Sequence, residues 1–149
     1  TLLPNNEKIV LDKACLINFP TKTNYKKQLL ESMQELLGIP YLWGGKSSFG
    51  FDCSGLVQSV LKVSNNIFLP RDASEQINSN LIKLVESPRL GDLVFFKKNN
   101  RIIHVGIYVN DIDFMHASGF IKINSINKKS KYYSDKLEIN YYKTYRIKV

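Results

Sequence analysis

The chain has 149 residues, 44% of them apolar and 23% charged, with 8 glycines, 5 prolines and 2 cysteines. That suits one domain with a sizeable core, and it excludes a disordered segment, a collagen or solenoid repeat and a disulfide-stapled scaffold. No apolar run approaches the roughly 20 residues of a membrane-spanning helix, and nothing near Thr1 resembles the apolar stretch of a signal peptide. A mature form and a fragment both fit that start. The formal net charge of +8 comes mostly from lysine, since Arg71, Arg89, Arg101 and Arg146 are the only arginines. Such a charge suits nucleic acid, anionic lipid or an anionic polymer such as bacterial cell wall. The lysines are spread along the chain and no nucleic-acid motif accompanies them, so the expectation is a solvated surface with no nucleic-acid partner.

Residues 1–22 read as an N-terminal arm or the tail of an upstream domain, with an apolar stretch over 14–19 that ends at Pro20. One continuous domain is expected over 23–149. Its first helix is capped by Thr23 or Asn24, carries Leu29, Leu30, Met33, Leu36 and Leu37 on one face, and is stopped by Gly38 and Pro40. A glycine-punctuated loop over 44–50 leads to a second helix with the stripe Leu56, Val57, Val60 and Leu61, and Asp52 stands where its N-cap belongs. Residues 64–90 read as loops plus one helical turn, in which Asp72 and Glu75 have capping-box spacing. From Asp92 the period changes to two, with strands expected at 93–96, 102–109, 114–117, 121–126 and 142–149. Helices followed by strands describe an α+β domain with an antiparallel sheet. Trp43 and the Phe95-Phe96 pair read as core, and the lysines at 128, 129 and 131 as a solvated loop.

Cys53 opens the second helix in Phe51-Asp52-Cys53-Ser54-Gly55. Unpaired amides and the positive end of the helix dipole favour an anion there, so a lowered thiol pKa is expected. Small neighbours let a substrate carbonyl approach and use an amide as an oxyanion donor. The chain has two histidines, and alternation puts His104, Gly106 and Tyr108 on one face of their strand. A turn near Asn110-Asp111 then sets His104 close to opposite His116, and directly opposed side chains have Cβ atoms about 4.5–5.5 Å apart. One imidazole orienting the other, which takes the thiol proton, is the chemistry that such a pair serves. A rival use of Cys53, His104 and His116 is a zinc site with one open position. Cys15 is expected as a buried free thiol rather than a disulfide partner of Cys53.

Six ordered motifs resemble the NlpC/P60 cysteine peptidases. They are Tyr41-Leu42-Trp43-Gly44-Gly45; Phe51-Asp52-Cys53-Ser54-Gly55-Leu56-Val57; Leu69-Pro70-Arg71-Asp72 with Gln76; Gly91-Asp92-Leu93-Val94-Phe95-Phe96; His104-Val105-Gly106-Ile107-Tyr108-Val109; and Met115-His116-Ala117-Ser118. The resemblance covers roughly residues 25 to 149. It implies a papain-like α+β core with N-terminal helices packed on an antiparallel sheet, Cys53 as nucleophile, His104 as general base and His116 as its orienting residue. It also implies that Tyr41 borders the site and helps hold the oxyanion, and that no metal or cofactor is needed. The substrate class it implies is the bond between γ-D-glutamate and a diamino acid in bacterial peptidoglycan stem peptides. The surroundings of Cys53 look most like the subgroup that acts on peptides with a free N-terminal L-alanine, in which Asp52, Ser54 and Arg71 would bind substrate. A monomer is expected, in the cell envelope or secreted, with a cytoplasmic recycling role as the alternative. A non-catalytic wall-binding module and acyl transfer to an acceptor other than water are the other readings.

Overall fold

Apolar residues spaced three and four apart in the first half of the chain, and alternating in the second, divide the computed structural model into a helical layer and a sheet; it describes residues 25–148. Helix α1 (Tyr25–Gln34) buries Leu29 and Met33, one turn apart. It ends earlier than the apolar spacing predicts: Leu36 packs at the core margin, Leu37 is exposed, and Gly38 turns the chain with φ 86°. The capping residues expected at 23 and 24, the arm over 1–22 and Cys15 lie outside the described residues. The glycine loop forms a short hairpin from β1 (Lys46–Ser47) and β2 (Gly50–Phe51).

Helix α2 (Cys53–Asn65) has both boundaries written in its sequence. Asp52 adopts extended backbone angles and accepts a hydrogen bond from the Gly55 amide at 2.6 Å. At the other end Asn66 takes the left-handed conformation that a side-chain amide tolerates, and its N–H closes on the Lys62 carbonyl. Between them Leu56, Val57, Val60 and Leu61 are buried, each side chain worth about 1.5–3 kcal/mol of transfer free energy. Helix α3 (Ala73–Gln76) is a single turn, and the expected capping box does not form: Asp72 makes no side-chain cap bond and stays exposed.

The sheet is antiparallel throughout, in the order β3-β8-β4-β5-β6-β7, from β3 (Ile82–Val85), β4 (Leu93–Lys98), β5 (Arg101–Tyr108), β6 (Asp113–Ser118), β7 (Phe120–Ser125) and β8 (Tyr141–Ile147). Five of these strands match the expected segments. Strand β3 does not, because this edge strand places only Ile82 in the core and leaves Leu84 54% exposed, so its sequence carries no burial alternation.

Alternation gives the sheet two packed faces. Leu93, Phe95, Val105, Ile107, Met115 and Ala117 meet α1 and α2. On the opposite face Val94, Phe96, Tyr108 and Phe114 form a second cluster, against which Ile126 and Leu137 of the β7–β8 connection pack. That connection includes the one-turn helix α4 (Asp135–Glu138), which the strand-dominated reading omitted.

Gly55 sets how closely α2 can approach the glycine loop. A β-carbon there would lie 2.4 Å from the Gly45 carbonyl oxygen and 2.9 Å from Asp52 Oδ1. Gly55→Ala is therefore expected to cost about 1–3 kcal/mol, measured as a lowered denaturant midpoint. An unchanged midpoint would show that loop and helix separate freely.

Candidate active site

Cys53 stands at the first position of α2. Of the first four amides of this helix, Gly55 N–H is taken by the Asp52 side chain and Leu56 N–H by the Asp52 carbonyl. Those of Cys53 and Ser54 act on the thiol, together with the Val105 amide of β5. Strands β5 and β6 are in register only at Ile107↔Met115 and Tyr108↔Phe114. Beyond that point they part, and the Cys53 sulfur lies against the β5 segment that also carries His104.

The histidines, expected close to opposite each other, take a diagonal relation in this register. It centres the turn on Asp111, so His104 projects opposite Ser118 and is the diagonal neighbour of His116. Diagonal side chains on one face still reach each other. His104 Nε2 lies 2.7 Å from His116 Nδ1, with the rings edge to face. His116 is 1% exposed and sits behind His104, and its Nε2 lies 2.9 Å from Asn124 Oδ1 on β7. With Nε2 engaged, Nδ1 is the nitrogen of His104 left for the thiol proton. Phe96 and Phe114 flank the pair, with ring centroids 5.6 Å from His104 and 5.4 Å from His116 respectively.

Burial governs the protonation of these groups. Burial, with smaller contributions from His116 and Lys122, brings the His104 pKa down to about 3, and burial likewise lowers that of His116. Burial also pushes the Cys53 thiol up, and the Asp52 carboxylate adds to the shift against the lowering by three amides. The expected thiol depression at the helix start is thus overturned: desolvation of a thiolate outweighs the helix amides. The resting pair is a neutral thiol and a neutral imidazole, and the proton moves as the sulfur attacks.

The zinc reading fits poorly. Two nitrogens on one tetrahedral zinc, each at about 2.0–2.1 Å, would stand about 3.3 Å apart. The facing nitrogens of His104 and His116 are closer than that, and the other ring nitrogen of His116 faces Asn124.

Asp52, Ser54 and Arg71 come together as one cluster. Arg71 Nη1 donates to Asp52 Oδ1 at 2.9 Å and to Ser54 Oγ at 3.1 Å, and Nη2 donates to Asp52 Oδ2. Asp52 also accepts from Gly44 N–H at 3.0 Å and from Ser54 Oγ at 3.3 Å. Burial raises the Asp52 carboxyl, but Arg71 and the amides of Gly55 and Gly44 hold it below the usual carboxylate value. Tyr41 is half-buried beside them; burial and the nearby Cys53 and Asp52 raise its pKa, so its hydroxyl stays a donor.

These residues border one open cavity of about 460 Å³, lined by Tyr41, Asp52, Cys53, Ser54, Arg71 and His104 among others. Trp43 also lines it, 87% exposed beside the turn at Gly44, and not in the core where its apolar character had placed it. Sequence reasoning missed Asn124. The available signal was an asparagine, a residue depleted in strands, on the face opposite Ile121 and Ile123.

The neutral histidines make stability depend on pH. Between about pH 6.5 and 3 the unfolded chain binds a proton that folded His104 refuses, so stability falls as pH drops through that window. Denaturant titrations from pH 7 to 4 are expected to show this decline, and His104→Gln to flatten it. An unchanged slope in the variant would place a charged His104 in the folded state.

A profile of the NlpC/P60 family matches residues 38–140. The chain is 38% identical over 94 residues to a γ-D-glutamyl-L-lysine dipeptidyl-peptidase of Bacillus subtilis, covering 61% of this chain and 31% of that protein. It is 32% identical over 113 residues to a murein DD-endopeptidase/LD-carboxypeptidase of Escherichia coli, covering 74% and 60%. The chain thus spans about a third of the first relative and less than two thirds of the second. A crystal structure of an NlpC/P60 family protein from Bacillus cereus superposes with a TM-score of 0.71 at 28% identity, over 82% of this chain and 40% of that one. With its helix-borne cysteine, sheet-borne histidines and matching core, the chain belongs to the NlpC/P60 family of cysteine peptidases.

Proposed function

We propose that this chain is a cysteine endopeptidase of bacterial peptidoglycan that hydrolyses the γ-D-glutamyl–diamino acid bond of stem peptides, acting in the cell envelope. The observation that carries the chemistry is the placement of Cys53 and His104 on one cavity, with His116 behind His104. The relatives divide over the bond, one being named for γ-D-glutamyl-L-lysine and another for DD- and LD-bonds. The local sequence around Cys53 favours the first.

Cys53 Sγ attacks the carbonyl carbon while its proton passes to His104 Nδ1. The oxyanion is met by the Cys53 amide and the Tyr41 hydroxyl. Collapse breaks the C–N bond, and His104 returns the proton to the leaving amine. Water, giving a proton to the same nitrogen, then attacks the thioester carbonyl; collapse breaks the C–S bond and releases the acid, and His104 returns that proton to the Cys53 sulfur. Arg71 uses N–H groups on Asp52 and Ser54 and keeps others for a substrate carboxylate. Asp52 and Ser54 beside the nucleophile receive the free amino end of the peptide.

Mass spectrometry of muropeptides after incubation is expected to show a new amine on the diamino acid and a terminal γ-D-glutamate. Cleavage confined to DD- or LD-bonds would reject the assignment, and a product joined to an added amine would reveal acyl transfer. Cys53→Ala should lower turnover by more than about 10³-fold with the fold intact. Near-normal turnover would remove the thiol mechanism. For L-Ala-γ-D-Glu-diamino acid peptides, kcat/KM is expected to exceed that of N-acetylated ones by at least about tenfold, equivalent to about 1.4 kcal/mol. Equal rates would show that the amino end goes unread.

A further inference from the structure

The two histidines and Asn124 form a hydrogen-bonded row whose direction can be read from its far end. Imidazole nitrogens are ambiguous between donor and acceptor, and so is an isolated side-chain amide. Asn124 is not isolated. Its Nδ2 lies 3.1 Å from the Tyr132 carbonyl oxygen, which can only accept. That carbonyl is itself fixed by the Ser125 amide at 2.9 Å. The amide is therefore oriented with Nδ2 toward Tyr132 and Oδ1 toward His116 Nε2, 2.9 Å away.

Each assignment now determines the next. Asn124 Oδ1 carries no proton, so His116 Nε2 must. A neutral imidazole has one N–H, so His116 Nδ1 presents a lone pair. Facing it at 2.7 Å, His104 Nε2 must donate. His104 Nδ1 is then left with the lone pair. The opposite polarity would put a proton on His104 Nδ1 and leave no base for Cys53.

We propose that Asn124 is a positioning residue that fixes the tautomers of both histidines and so keeps the Nδ1 lone pair of His104 available to the Cys53 thiol. This rests on the reading of Cys53 and His104 as nucleophile and base, and extends it to a residue two positions removed from the reacting atoms. A neutral amide suits the position. The charged and titratable groups that act on His116 are His104 from β5 and Lys122 from β7, and neither supplies a negative charge. A carboxylate in place of the amide would favour an imidazolium at His116, whose Nδ1–H would turn the row around.

Two measurements test this without a peptidoglycan substrate, so their failure is distinct from failure of the proposed reaction. In the ¹⁵N-histidine-labelled protein at neutral pH, long-range ¹H–¹⁵N correlation should show protonated Nε2 and unprotonated Nδ1 on both rings. A proton on His104 Nδ1 would overturn the proposal whatever any variant does. In the second, the rate of Cys53 alkylation by iodoacetamide is followed against pH by mass spectrometry. Asn124→Leu, which keeps the bulk but removes the acceptor, should slow alkylation at neutral pH by about tenfold. Asn124→Asp, which keeps an acceptor, should recover most of that rate above neutrality and move the acidic limb of the profile to higher pH. A merely structural asparagine would make both variants equally slow with the limb unmoved, and that result, or a wild-type rate in Asn124→Leu, would refute the assignment.

Discussion

The carboxylate of Asp52 holds three parts of the site in one place. It caps α2 through the Gly55 amide, fixes the glycine loop through the Gly44 amide, and pairs with Arg71 from the segment before α3. Each bond to the charged oxygen pair is of the kind worth about 1.5–3 kcal/mol, and the guanidinium bonds also fix orientation in a plane. The loop held in this way carries Tyr41 and Trp43 to the cavity, and the helix carries Cys53. Gly55 follows from the same constraint, because the Gly45 carbonyl lies so close to the helix start that position 55 has no room for a β-carbon; Gly45 itself has none because the Gly50 carbonyl closes over it within the loop. The cluster of motifs around the cysteine is thus one packed and hydrogen-bonded unit, which explains why its spacing is so legible.

Against that polar clamp, the other half of the site is dry. The histidines stand among aromatic side chains on the sheet face away from α2, with Phe96 beside His104 and Phe114 beside His116. This surrounding removes water from His116 and from the covered side of half-buried His104, and the nearby Lys122 discourages a further positive charge. A thiolate–imidazolium pair is therefore not favoured at rest, in contrast with thiols depressed by helix amides alone. In the proposed reaction, charge separation is deferred until a substrate carbonyl occupies the cavity and the developing oxyanion can meet the amide at the helix start and the Tyr41 hydroxyl. Desolvation costs ground-state reactivity here, but the same low dielectric strengthens the interactions made in the transition state.

Much of this was legible in the sequence because the features are local. A cap residue, a helix-start cysteine, a two-residue period and an ordered set of glycine-flanked motifs each announce themselves within a few positions. The α+β division and five of the six strands of the main sheet follow from such signals. The grouping of Tyr41, Asp52, Ser54 and Arg71 with Cys53 and His104 on one cavity was implied instead by the family resemblance of the motifs. Non-local effects were not legible. The histidine register depends on where the turn centres: a turn centred on Asn110 would oppose His104 and His116 directly, and centring on Asp111 makes them diagonal neighbours. The thiol's environment depends on how deeply α2 is pressed against β5. Trp43 reads as core by composition, yet its indole is 87% exposed at the cavity. Asn124 acquires meaning only once β6 and β7 bring it beside His116.

These halves meet at a single constraint on charge. The Asp52–Arg71 pair concentrates opposite charges at the amino end of α2, where the proposed reaction receives its polar substrate, with Asp52 largely covered and Arg71 partly open to solvent. The relay behind the thiol carries no ionised group and ends on an amide anchored to a main-chain carbonyl. A carboxylate there would be isolated from Arg71 and set among aromatic rings, where an unpaired charge is costly. Its natural compensation would be a protonated His116, which has no lone pair to accept the His104 N–H. Neutral termination is therefore the arrangement under which the imidazole pair can stay folded and still present a lone pair to the thiol. The fold provides it by placing the orienting group on β7, one strand beyond the histidine it serves.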